Sequence, residues 1–154
     1  MKKILIAVDE FKGSKRALEV FLDMSPRVES VVLLNVQQLG GRSAMHYISD
    51  TDWSTLNEML SKTFEGSDVK EAMDRKSEMI LGYAKKFLED HGVSGIKTLV
   101  KRGYAAEEII NAAREEGADM IIIGSRGKRM HSLLLGSVSR EVANSAEIPV
   151  LIAR

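Results

Sequence analysis

The sequence predicts a doubly wound, three-layer α/β sandwich on a five-stranded parallel sheet, and three observations predict it. Short apolar runs alternate with longer segments whose apolar residues recur at steps of three and four, the pattern of successive βαβ units. The short runs are apolar at consecutive positions, as strands covered on both faces must be. The 154 residues suffice for one hydrophobic core, so one domain over 1–154 is expected.

Each element has its own signal. The first strand is Ile4-Leu5-Ile6-Ala7-Val8. A helix carrying Ala17, Leu18, Phe21 and Leu22 follows, with Ser14 as expected N-cap and Pro26 closing the unit. The run Val31 to Val36 is the second strand, and the polar stretch 37–67, with Gly40 and Gly41, reads as a loop with a short helix over 55–64. Asp68 to His91 is the longest helix, with Val69, Met73, Ile80, Ala84, Phe87 and Leu88 at helical spacing and Gly92 as terminator. Ile96 to Arg102 intersperses Lys97, Thr98, Lys101 and Arg102 with apolar residues, which fits an edge strand. Gly103 leads into a helix through Ile109, Ile110, Ala112 and Ala113 that ends near Gly117, and Met120-Ile121-Ile122-Ile123 is expected to be central. A last helix with Val138, Val142 and Ala146 precedes Pro149 and the strand Val150 to Ala153.

Composition removes several classes of function. The 22 basic and 22 acidic residues cancel, unlike the basic footprint of a nucleic-acid binder. Cysteine is absent, which excludes disulfides, thiolate metal sites and cysteine nucleophiles. The apolar run before Asp9, Ile4 to Val8, has five residues, fewer than a signal-peptide core of about 7–15, and no apolar run approaches the roughly 20 residues that span a bilayer. A cytoplasmic chain without membrane partners is expected. His46, His91 and His131 have no companions at metal-ligand spacing, and Ser137 has no evident histidine partner for hydrolase chemistry.

Ligands of doubly wound sheets collect at the carboxyl ends of strands, where strand order reverses, which directs attention to the loops after the first and fourth strands. The second of these reads "GSRGKRMHSLLLGSVS" from Gly124 to Ser139. Gly124 and Gly127 are expected to turn with positive φ and to admit a phosphate to the main chain. Gly136-Ser137-Val138-Ser139 opens a helix whose amides favour an anion, and Arg126, Lys128 and Arg129 could neutralise its charge. Gly124 alone reads equally as turn punctuation, whereas a capping role for Ser137 or Ser139 and a helix-start or turn role for Asp9 are the lesser alternatives. No G-x-x-x-x-G-K-[ST] P-loop occurs, and "DEFKGS" replaces the dinucleotide glycines after the first strand.

Three segments in order, "AVDEFKGSKRAL", "GYAAEEIINAAREEGADMIIIGSRG" and "LLLGSVSREVANSAEIPVLIA", resemble the universal stress protein family across nearly the whole chain. The resemblance implies an adenine nucleotide alpha hydrolase-like fold. In the family's nucleotide-binding branch a Gly, two residues, Gly, nine residues and Gly-Ser or Gly-Thr hold ribose and phosphates. Here Gly127 is followed by only eight residues before Gly136-Ser137. By the same resemblance Asp9, with Val8 nearby, meets the ribose hydroxyls or a phosphate-bound metal. Val36 touches adenine, and Gly124, Arg126, Gly127, Gly136, Ser137, Val138 and Ser139 line sugar and phosphates. The family often has Gly-Ser after this aspartate, where Glu10-Phe11 stand here.

The implied function is a regulatory, stress-response switch that binds ATP, with AMP or ADP as alternatives and Mg2+ as accompanying cation. No residue is arranged as a general base, so any hydrolysis is slow. The rival reading is an interaction module that binds no nucleotide. A phosphoacceptor receiver domain shares the architecture but lacks the aspartate after the third strand and the lysine after the fifth, where Gly103 and Arg154 stand. The resemblance also implies a homodimer through the C-terminal strand, and "PVLIAR" is an apolar edge that pairing would protect.

Overall fold

The computed structural model describes residues 1–10, 12–24, 27–38, 67–125 and 135–154. The expected helix over 55–64, Gly40, Gly41 and Pro26 lie outside the described residues. In chain order the elements are β1 (Lys3–Ala7), α1 (Lys12–Met24), β2 (Ser30–Gln37), α2 (Ser67–Asp90), β3 (Ile96–Arg102), α3 (Ala105–Glu116), β4 (Met120–Gly124), α4 (Ser137–Ser145) and β5 (Val150–Ala153). The strands form one sheet in the order β3-β2-β1-β4-β5, and every pairing is parallel.

The strands sort their side chains by alternation, sending successive residues to opposite faces. Ile4, Ile6, Val8, Val31 and Leu33 pack with Ala17, Leu18, Phe21, Leu81, Ala84 and Leu88 on the α1/α2 face. Leu5, Ala7, Val32 and Leu34 pack with Ala106, Ile109, Ala112 and Val142 on the α3/α4 face. The expected three layers are therefore present, with two apolar interfaces.

Two expectations need correction, and the buried face of α2 takes its detail from the structure. The strand centre is β1, flanked by β2 and β4, whereas the more apolar β4 lies between β1 and β5. Burial on both faces explains why β4 reads as central: it is an interior strand. Ser14 is not an N-cap, because α1 begins at Lys12 and places Ser14, buried, in its first turn. On α2 the buried stripe runs through Ser77, Leu81, Ala84 and Leu88, while Met73, Ile80 and Phe87 are half-buried beside it.

Helix ends follow local chemistry. Gly117 closes α3 at φ 66°, its N–H reaching the carbonyls of Ala113 and Arg114, in the left-handed conformation that glycine adopts without penalty. Glu107 and Glu108 in the first turn and Arg114 in the last complement the α3 macrodipole. At the amino end of the sheet the Asp119 carboxylate accepts the main-chain N–H groups of Lys2 (2.7 Å) and Lys3 (2.9 Å), which holds its pKa below the ordinary aspartate value. Among the described residues no helix is long and apolar enough to cross a membrane.

Candidate functional site

The strand order reverses between β1 and β4. From β1 the chain passes to α1 on one face, and α4, after β4, lies on the other. The helices that follow these two strands thus lie on opposite faces of the sheet, the arrangement that places a ligand crevice at the carboxyl ends of the strands in doubly wound folds.

On the β1 side, Asp9 and Ser14 form a closed pair. The Asp9 main-chain N–H donates to Ser14 Oγ at 2.7 Å, and the Ser14 hydroxyl donates to Asp9 Oδ1 at 2.7 Å. The carboxylate is thereby oriented while Asp9 stays exposed. Glu10 pairs with Lys76 Nζ of α2 at 2.8 Å. A groove of about 380 Å³ between α1 and α2 includes Val8, Asp9, Ser14, Leu18, Ile80 and Tyr83 in its lining. It lies on the α1/α2 face, and neither Gly136 nor Ser137 lines it.

Strand β2 outruns β1. Their ladder ends at Ala7 opposite Leu34, whereas β2 and β3 stay paired to Gln37 opposite Arg102. The Gln37 carbonyl accepts the Gly103 N–H on the β3 side, and Leu34 accepts the Val8 N–H on the β1 side. Main-chain groups alternate sides along a strand, so the N–H and C=O of Val36 point to the β1 side, beyond its last rung. They present one donor and one acceptor over the crevice.

On the β4 side the expectation for Gly124 changes. Gly124 is not among the described glycines with positive φ. A Cβ there would lie 2.4 Å from the Gly13 carbonyl oxygen, so its bare Cα admits the first turn of α1. Ser125 donates its N–H to Ala153 and accepts that of Gly136 at 2.8 Å, which brings the two ends of the glycine loop together. Arg126 and Gly127 lie outside the described residues. Gly136 caps α4 at φ −60°, ψ 156° with no side-chain hydrogen bond. Ser137 is exposed and Val138 half-buried. Ser139 is buried, and its hydroxyl stands 3.0 Å from the Gly136 carbonyl; its proton braces the loop base.

A polar network that sequence reasoning missed supports the crevice from the α2 side. Asn35 Nδ2 donates to the Val8 carbonyl at 2.9 Å, and Ser77 donates to Asn35 Oδ1 at 2.7 Å. Gln37 Nε2 donates to Ser77 and to Asp74, and Arg102 binds both Gln37 Oε1 and Asp74 Oδ1. Hydrogen bonds from Gln37 first, and then Arg102, hold the Asp74 carboxyl below the ordinary aspartate range. The available signal was Asn35 and Gln37 at alternate positions of an apolar run, which places both on one face of the strand.

The chain matches the profile of the Universal stress protein family over residues 1–154. It belongs to that family. Among relatives, universal stress protein YxiE of Bacillus subtilis is 30% identical over 153 residues, covering 99% of this chain and 98% of its own. Universal stress protein MJ0577 of Methanocaldococcus jannaschii is 31% identical over 158 residues, covering 99% and 94%, and its solved structure superposes with a TM-score of 0.65 at 99% and 94% coverage. A universal stress protein family member from Arabidopsis thaliana, solved with AMP bound, shares the fold at 20% identity and a TM-score of 0.65, covering 99% of this chain and 91% of its own. Membership of the family agrees with the sheet order and the position of α4 described above.

Proposed function

We propose that this universal stress protein binds an adenine nucleotide in the β1/β4 crevice and acts as a stress-response switch. The observation that carries the reading is the overhang of β2, which leaves the Val36 N–H and C=O over the end of β1. That donor and acceptor match the N1 acceptor and N6 donor of adenine. The braced Asp9 carboxylate stands on the adjoining loop and can accept ribose hydroxyl protons. The first turn of α4 opens at Gly136 with no capping side chain, so its amides are suited to phosphate oxygens. Support also comes from universal stress proteins of the same fold solved with AMP, with dAMP and with cAMP.

ATP is the proposed ligand, with AMP and ADP as shorter occupants of the same place. Among the described residues no group of three or more acidic or histidine side chains could hold a metal ion, so Mg2+ would arrive with the phosphates and find Asp9 as its protein carboxylate. The reading takes the difference between bound and empty forms, rather than turnover, as the output. The reading further has 1–154 as one cytoplasmic domain that dimerises along β5.

Denaturing freshly purified protein and identifying released small molecules by mass spectrometry tests the reading. A stoichiometric adenine nucleotide supports it. Protein that carries none and takes up none on incubation with ATP, ADP or AMP indicates an interaction module instead.

A further inference from the structure

The end of β1 is terminated in an unusual way. In a parallel ladder the rung after Val8 N–H to Leu34 would be Val36 N–H donating to the Val8 carbonyl. That rung is missing, since the ladder stops at Ala7 opposite Leu34, and the Val8 carbonyl instead accepts Asn35 Nδ2 at 2.9 Å. A side chain has taken the acceptor that the neighbouring main-chain N–H would use.

The substitution is held in place. Asn35 is 5% exposed and Ser77 2% exposed. Ser77 donates to Asn35 Oδ1 at 2.7 Å and accepts from Gln37 at 2.9 Å. Donation to Oδ1 fixes which end of the carboxamide faces Val8, because only the nitrogen can donate to a carbonyl. Gln37 is in turn held by Asp74 and Arg102. Among the described residues no buried side-chain polar atom lacks a partner, so the hydrogen bonds offset the desolvation of these groups.

We infer that Asn35 is a positioning residue: by occupying the Val8 carbonyl it ends the β1–β2 ladder one rung early and keeps the Val36 main-chain N–H available to the base of the nucleotide. The inference rests on the nucleotide reading for its ligand, but its structural half stands separately. With Asn35 replaced by an apolar residue, the Val8 carbonyl loses its donor and the Val36 N–H closes onto it. The site then loses the donor that distinguishes adenine, whose N1 accepts, from hypoxanthine, whose N1 carries a proton in the same pose.

Two measurements on wild type, Asn35→Leu and Ser77→Ala test this. Ser77→Ala leaves the core volume nearly intact and frees the carboxamide to turn, so it serves if Asn35→Leu does not fold. In the ligand-free protein, amide hydrogen exchange followed by NMR should show Val36 exchanging much faster than Leu34 in wild type, and slowing in the variants as the missing rung forms. Calorimetry should show AMP affinity falling about tenfold, the loss of one hydrogen bond of about 1.4 kcal/mol, with affinity for inosine monophosphate changing far less. Val36 as protected as Leu34 in wild type, unchanged exchange in the variants, or equal losses for both nucleotides would overturn the inference. If wild type binds neither nucleotide, the functional reading fails and the exchange comparison alone decides the role of Asn35.

Discussion

The Ser14 hydroxyl donates to Asp9 Oδ1 at 2.7 Å while its oxygen accepts the Asp9 main-chain N–H at the same distance. One side chain therefore sets both the backbone and the carboxylate of the residue that closes the β1 side of the crevice. Ser14→Ala should remove both bonds, lower stability by about 1–2 kcal/mol and weaken nucleotide binding severalfold. Urea unfolding and calorimetry on the same preparation check this; unchanged affinity alongside lowered stability would make the pair purely structural.

Gly124 and Gly82 make opposite predictions from the same substitution. A Cβ on Gly124 collides with the Gly13 main chain at 2.4 to 2.7 Å, so Gly124→Ala should cost about 1–3 kcal/mol as the first turn of α1 is displaced. A Cβ on Gly82, within α2, meets nothing within 4 Å, so Gly82→Ala should gain about 0.5–1 kcal/mol from helix propensity. Thermal melts of the two variants should move in opposite directions.

Acid should destabilise the fold through identified groups. The pKa values of Asp119, Glu116 and Asp74 are lowered by the Lys3 and Lys2 amides, by Lys97, and by Gln37 with Arg102 respectively. A carboxyl with a lowered folded-state value contributes stability above its ordinary value, here 3.8 for Asp and 4.5 for Glu, and loses it as pH falls through the folded value. Urea midpoints should thus fall from pH 5 towards pH 3, and Asp119→Asn should show a shallower fall over that range. Parallel slopes for variant and wild type would remove Asp119 from the account.

The edge position of β5 is proposed to be covered by a second copy. Val150, Leu151 and Ile152 are only half-buried in one chain. Light scattering at micromolar concentration should return the mass of a dimer, and Ile152→Lys should shift it towards that of one chain. A wild-type monomer would contradict the pairing.

Legibility differed between parts of the chain for physical reasons. Strands buried on both faces are visible as continuous apolar runs, so β1, β2, β4 and β5 lie within a residue or two of their expected bounds, and charged Lys97, Lys101 and Arg102 marked β3 as an edge. What the residue string could not show was partnership across distance. The buried Ser77 hydroxyl meets Asn35, 42 positions earlier, and Ser14 looks like a cap because its hydroxyl's target, Asp9, precedes the helix. Gly124 invited a turn reading because the close passage of Gly13 is a tertiary fact. Of the predicted site, the crevice, Asp9, Val36 and the opening of α4 share one end of the sheet, while Arg126 and Gly127 lie outside the described residues.

The central claim is most directly tested by titrating ATP and AMP into wild type and Gly136→Val. The Gly136 backbone, at φ −60° and ψ 156°, is one that valine can adopt, so the fold should persist at a cost of about 1 kcal/mol for the poorer N-cap, while the branched side chain crowds the first amides of α4. Saturable one-to-one binding to wild type that disappears in the variant, with cooperative thermal unfolding retained, is the predicted result. Equal affinities for the two proteins would contradict the phosphate assignment, and a wild type that binds neither compound would contradict the function itself.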